Sequence, residues 1–319
     1  MKSGMLGIDM MMKVTPSEVL YIKLGKGGKW EKECIEGEEQ KLKVGYREVD
    51  HGLCLNHEWE KVREGFLKSG KKKGVATSLV NQIKDFYEAG DDVLWITFYA
   101  GRLWWCFSER EVTLLSDGDK IRPVSRKWEY KDIKGGPLLF DRLSGSLLSL
   151  QAYRGTICKV RDKKYIIEKI KGETPPEVNE AKDALIGLED KLAVIIKKLH
   201  WKDFEALIDL IFRQAGWQRL SVIGEEQKTF DLDLLSPITD NRYLAQVKSK
   251  AKKEHLDDYK KKCKEMPKDY KKFYFIVHSP NPDLKDIRQD DAVELITVEK
   301  VAQWAVKHGL ANWVIEKAH

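Results

Sequence analysis

Asp231, Gln246 and Lys248 are the residues of this chain whose types and spacing could do chemistry together. They lie in Thr229-Phe-Asp-Leu-Asp-Leu-Leu-Ser-Pro and in Tyr243-Leu-Ala-Gln-Val-Lys-Ser. Gln246 and Lys248 are two apart, so on a strand they point to the same face. A carboxylate, an amide oxygen and an ammonium converging on one edge can hold a divalent metal and activate a water. That is the chemistry of phosphodiester hydrolysis. Asp231 and Asp233 are also two apart and share a strand face, so either could be the principal acidic group.

Elements on both sides must position these groups. Phe204, Leu207, Ile208 and Ile211 recur at helical spacing, which predicts an amphipathic helix ended by Gly216-Trp217. Glu205 sits beside that apolar stripe. The Asp231 and Gln246 segments read as two strands joined by a polar turn, with a lysine-rich helix after them. Phe273-Tyr-Phe-Ile-Val is a continuous apolar run bounded by His278-Ser-Pro, the pattern of a central buried strand. Helical residues from Val178 to Leu199 precede the set. A strand from Glu294 and a helix from Val298 to His308 close it. The predicted order is α-β-β-α-β-β-α, an α/β arrangement with a mixed sheet flanked by helices.

Lys171-Gly-Glu-Thr-Pro-Pro-Glu-Val-Asn-Glu is polar and carries two prolines, so the chain reads as two domains, 1–170 and 171–319. The first looks α+β. Val19-Leu-Tyr-Ile-Lys-Leu is a short strand, and Leu79 to Tyr87 has helical periodicity. Val93 to Tyr99 and Leu103 to Phe107 form a hairpin across Ala100-Gly-Arg. Six of the ten tryptophans precede residue 130. Tyr46, Trp95, Tyr99, Trp104, Trp105 and Trp128 could stack a flipped or unpaired base. Trp104 and Trp105 are neighbours on one strand and face opposite sides unless a bulge intervenes, so at least one belongs to a core, and packing a small α/β core is the favoured reading of any single tryptophan.

The net charge of +6 is compatible with a polyanionic partner. The lysines between Lys248 and Lys272 are either phosphate contacts or a solvated helix face. Five cysteines, an odd number with no CxxC pair, read as reduced thiols. Cys34, His51, Cys54 and His57 are zinc-ligand types, but not at a zinc-site spacing. Met10-Met-Met is not a signal-peptide core, and no apolar run reaches membrane-spanning length. The expectation is a soluble, cytoplasmic protein with no membrane partner. No G-x-x-x-x-G-K-[ST], G-x-S-x-G or H-E-x-x-H motif occurs, so the chain offers no nucleotide-hydrolysing loop, nucleophile elbow or zinc-protease helix.

Phe204-Glu-Ala-Leu, Ala215-Gly-Trp, Phe230-Asp-Leu and Ala245-Gln-Val-Lys-Ser follow one another in this order. Over about residues 200 to 300 they resemble the Mrr-like restriction endonucleases of the PD-(D/E)xK superfamily. The resemblance implies a restriction-endonuclease-like fold and Mg²⁺ (or Mn²⁺) held by Asp231, Gln246 and Glu205. It implies that Lys248 positions or deprotonates the attacking water, with Asp233 as a further ligand or a solvated neighbour. Gln246 stands where an acidic ligand is commoner, and Gln227-Lys-Thr-Phe stands where the family often has glycines. Residues 15–160, with Gly90-Asp91-Asp92 before Val93-Leu-Trp-Ile-Thr-Phe, faintly resemble PUA-like modules, which include the EVE and YTH modified-base readers. Together these imply a DNA endonuclease of the modification-dependent, type IV-like kind, acting in phage defence as a homodimer. Two other readings stay open: a nucleic-acid-binding protein with an inactive nuclease-like fold, and an RNA-directed nuclease.

Overall fold

A computed structural model describes residues 14–220, 230–266, 269–284 and 292–318. Met10-Met-Met and Gln227-Lys-Thr lie outside the described residues. The chain forms two compact units, 1–175 and 176–319, and the division falls within the polar stretch 171–180. The class is mixed α/β. Among the described residues no helix is long and apolar enough to cross a membrane.

The first unit begins β1 (Val19–Ile22), α1 (Glu31–Glu36), β2 (Lys41–Val44), α2 (His51–Leu55), α3 (Trp59–Lys68) and α4 (Lys73–Glu88). It continues β3 (Leu94–Tyr99), β4 (Arg102–Phe107), β5 (Thr113–Leu114), β6 (Lys120–Pro123), α5 (Gly145–Leu148), β7 (Ile157–Lys159) and α6 (Lys163–Ile170). One sheet has the order β4-β3-β1-β7, with β1 parallel to β3, and a second has β2-β6-β5. The β3–β4 hairpin turns at Ala100 (φ 50°) and Gly101 (φ 74°). Two successive left-handed residues match the twist of the paired strands, and Gly101 adopts that region without a Cβ penalty. Helix α4 buries Ala76, Val80, Ile83 and Phe86 along one face. Its C-terminal carbonyls meet Arg122 of β6, a fully buried guanidinium that donates to the carbonyls of Phe86, Ala89 and Glu109. Burial pulls the Arg122 pKa down to about 10. The cation is kept because it satisfies several carbonyl acceptors at a helix C-terminus, where the helix dipole favours positive charge.

The second unit runs α7 (Pro176–Ile196), α8 (Trp201–Gln214), β8 (Gln218–Arg219), β9 (Leu232–Leu235) and β10 (Arg242–Ala251). It ends with α9 (Lys253–Lys264), β11 (Tyr270–Pro280), β12 (Val293–Ile296), α10 (Val298–Lys307) and α11 (Ala311–Lys317). Its sheet has the order β12-β11-β10-β9-β8. Strands β10, β11 and β12 are parallel, β9 pairs antiparallel with β10, and β8 pairs antiparallel with β9. Residues of α7, α8, α10 and α11 pack on one face with Ala245, Val247 and Ile276. Leu256, Tyr259 and Cys263 of α9 pack on the other with Leu244, Phe275 and Val277. Strand β11 is buried at Phe273, Phe275, Ile276 and Val277, because both faces are covered. Its His278 shares a hydrogen bond with the Ile196 carbonyl (2.6 Å), and burial holds its pKa below the usual imidazole value.

Two elements go beyond the sequence-based order, namely β8 and α11. A two-residue strand has no alternation to detect, and α11 buries only Val314.

Candidate functional site

Helix α8 starts at His200, whose Nδ1 accepts the Lys202 N–H (3.3 Å) and so caps the first turn. The helix buries Phe204, Leu207, Ile208, Ile211 and Phe212, which fixes its rotation and leaves Glu205 half-buried beside that face. Glu205 lies near the helix N-terminus, where the dipole favours an ionised carboxylate. Burial outweighs it. The Glu205 pKa is raised, first by desolvation and then by the nearby Asp231 carboxylate, while Arg219, Lys248 and Lys202 pull the other way.

Asp231 sits where two strands part. The β9–β10 ladder pairs Leu235 with Arg242 and ends at Leu232 with Ala245. One step further the Asp231 N–H still reaches the Ala245 carbonyl (3.1 Å), so Asp231 comes level with Gln246. The next β10 donor on that edge is the Val247 N–H. The Asp231 carboxylate takes it instead, with Oδ2 at 2.6 Å. Oδ1 is the oxygen this bond leaves over. The Asp231 pKa is raised by burial; the Val247 hydrogen bond, Lys248 and Arg219 oppose that rise.

Gln246 and Lys248 project from β10 on one face, both half-buried. Lys248 acts electrostatically on both Glu205 and Asp231. The four residues are therefore brought to one place by α8, the entry to β9, and β10. Two carboxylates whose pKa values are both raised by burial, beside an amide oxygen, fit an oxygen-preferring dication, because a bound charge of +2 offsets both penalties. Asp231, Gln246 and Glu205 are the residues that would hold it. Among the described residues no group of three or more His, Cys, Asp or Glu is placed to bind a metal. The same finding leaves Cys34, His51, Cys54 and His57 without a zinc cluster.

The structure assigns Asp233 elsewhere. Its Oδ2 accepts from Arg242 Nη2 (2.5 Å) and from the Tyr270 hydroxyl (3.1 Å). It is the counter-ion of Arg242 and is nearly buried. Asp233→Ala is expected to cost about 2–3 kcal/mol by stranding the Arg242 cation and the Tyr270 hydroxyl. The stabilisation given by Mg²⁺ should survive. A thermal melt with and without the metal checks both, and loss of the metal response would return Asp233 to the ligand set.

The aromatic expectations also need correction. Trp95, Trp105 and Trp128 are 0%, 4% and 3% exposed, and Trp104 is 9% exposed. Trp104 packs with Trp95 and Trp128 in one core cluster and Trp105 in another, on opposite faces of β4. The Trp104 and Trp105 indole N–H groups are spent on the Tyr99 and Lys131 carbonyls. These side chains build the core because β3 and β4 are covered on both faces. Tyr46 is half-buried, and its hydroxyl donates to Gln82 Oε1 (3.2 Å). Tyr99 stays half-exposed against Trp104.

Arg219 is the site residue that pattern reading missed. From β8 it reaches the Asp231 carbonyl (3.4 Å) and Asp209 (3.3 Å), and its charge acts on Glu205 and Asp231. Its position directly after the Gly216-Trp217 helix end was the available signal.

No family model matches the chain, and neither a curated protein nor a solved structure is significantly similar to it.

Proposed function

We propose that the second unit is a Mg²⁺- or Mn²⁺-dependent endonuclease with a restriction-endonuclease-like fold of the PD-(D/E)xK kind. Its sequence motifs lie nearest the Mrr-like enzymes. One observation carries the reading. The Asp231 carboxylate is anchored to the Val247 N–H at the point where β9 leaves β10, level with Gln246 and within the field of Lys248 and Glu205.

A bound divalent ion there supplies Lewis-acid activation of the phosphate and a more acidic water. Asp231 and Gln246 would hold that ion from one strand edge, and Glu205 would do so from α8. Lys248 holds the attacking water by hydrogen bond and places positive charge where the pentacovalent phosphate gathers negative charge. Lys250, Lys252 and Lys253 follow on the same chain segment and are exposed, which suits a phosphate backbone running past the site.

The substrate proposed is DNA carrying a modified base, cut in phage defence. The first unit serves as the reader, a PUA-like module in this proposal. Its contact surface excludes the core residues Trp95, Trp105 and Trp128.

The experiment is an incubation with Mg²⁺ or Mn²⁺ on matched modified and unmodified phage DNA, with an RNA arm and a chelator control. Metal-dependent cleavage of modified DNA alone is the expected result. Equal cleavage of every DNA removes the modified-base role from the first unit. Cleavage of RNA in place of DNA moves the substrate. Nucleic-acid binding without any cleavage replaces the enzyme with a binding protein.

A further inference from the structure

Helix α7 is 21 residues long, but its own unit covers only its end. Leu192, Ala193 and Ile196 are buried in the core shared with α8, α10 and α11. Every residue from Pro176 to Leu188 is exposed. Within that stretch Val178, Ala181, Leu185 and Leu188 follow spacings of three, four and three, and Leu192 continues the series by four. This is a heptad seam with Val178 and Leu185 at a and Ala181 and Leu188 at d. Val178, Leu185 and Leu188 are 40%, 46% and 38% exposed. The stripe that enters the core at Leu192 therefore continues past it with no described residue of its own unit covering it. A helical segment this short is marginal in water without packing.

The flanking charges say what fits. Glu177 falls at g and Lys182 at the following e, the two positions that meet across a parallel helix pair. Two copies aligned in parallel bring Glu177 of each against Lys182 of the other and stack Val178, Ala181, Leu185 and Leu188 on their own counterparts. An antiparallel pair that matches the same four residues joins Glu177 to Lys191, but sets Lys182 against Lys182 on the axis. We propose that the exposed half of α7 is a self-association surface whose occupant is the α7 of a second copy of this chain, in parallel register. Ile186, 55% exposed, lies at b, off the seam. About two heptads bury well under the ~800 Å² per partner of a standard interface, so the association is expected to be reversible with a dissociation constant on the order of micromolar. The inference stands apart from the nuclease reading, since it concerns oligomeric state alone.

Sedimentation of the full chain over a concentration series tests it. A monomer–dimer equilibrium is expected, shifted to monomer at least ~10-fold by Leu185→Glu with Leu188→Glu, and unchanged by Ile186→Glu. These positions are exposed, so at concentrations where the parent is itself monomeric the circular dichroism and melting temperature of the variant should match the parent's. Ala181→Cys should form an oxidised covalent dimer, and Ala184→Cys should not. The four other helix- and strand-borne cysteines besides Cys158 are buried and serve as silent background. A monomer at roughly 100 µM, well above a micromolar constant, overturns the proposal. So does a dimer indifferent to the paired glutamates, and so does cross-linking at Ala184→Cys in place of Ala181→Cys.

Discussion

Lys248→Ala is expected to reduce DNA cleavage by a factor of about 10³ or more while leaving the metal-binding side chains and the fold in place. The ammonium projects from β10 half-buried, so the truncation leaves no sealed void. Its field lowers the pKa of both Glu205 and Asp231. Removing it raises those values further. Metal binding by the variant should therefore need a higher pH than that of the parent, because protons compete longer for the same oxygens. Single-turnover cleavage measured beside a metal titration from acid to neutral pH separates the two effects. Parent-like cleavage by the variant would end the role assigned to Lys248. An unchanged pH profile of metal binding would remove its electrostatic contact with the carboxylates.

Asp231→Asn should act in opposite directions on the metal-free and metal-bound protein. Burial raises the Asp231 pKa above its unfolded value. A carboxylic acid shifted this way favours the fold below its unfolded pKa, and that contribution is lost as pH rises through the folded value. At neutral pH the ionised group is a cost, and it adds repulsion to Glu205. Asparagine removes the charge and can still accept the Val247 N–H, so the metal-free variant should melt a few degrees higher than the parent. The gain should shrink toward acidic pH, where the parent carboxyl is itself protonated. In the parent, a hundredfold excess of Mg²⁺ over its dissociation constant is worth about 2.7 kcal/mol, and the variant should lose nearly all of it. Melting curves with and without Mg²⁺ at acidic and neutral pH decide the matter. A variant that melts lower without metal would mean that the carboxylate is a structural group.

Much of this arrangement was legible because strands and helices impose fixed periods. Gln246 and Lys248 had to share a face, and Glu205 had to lie beside the stripe of Phe204, Leu207 and Ile208. The hairpin around Ala100-Gly101 and the buried strand at Phe273–Val277 followed from turn chemistry and apolar runs. Periodicity could not separate Asp231 from Asp233, which share a face. The difference lies in partners brought from elsewhere: Val247 for one, Arg242 and Tyr270 for the other. The stacking role of the tryptophans could not be told from core packing for a related reason. Aromatic residues on a strand look the same in sequence whether the sheet has one covered face or two, and β3 and β4 are covered on both. Arg219 was hidden because its strand is too short to have a pattern.

The Val247 amide is held by a side chain where a neighbouring strand would ordinarily hold it. Its proton therefore shares the electronic state of the Asp231 carboxylate. In an isotope-labelled sample the nitrogen and proton resonances of Val247 should move as that carboxylate gains a proton or a cation, while amides inside the β10–β11 ladder stay nearly still. The backbone thus carries its own titration indicator, and occupancy of the carboxylate can be followed in solution without a substrate or a turnover assay.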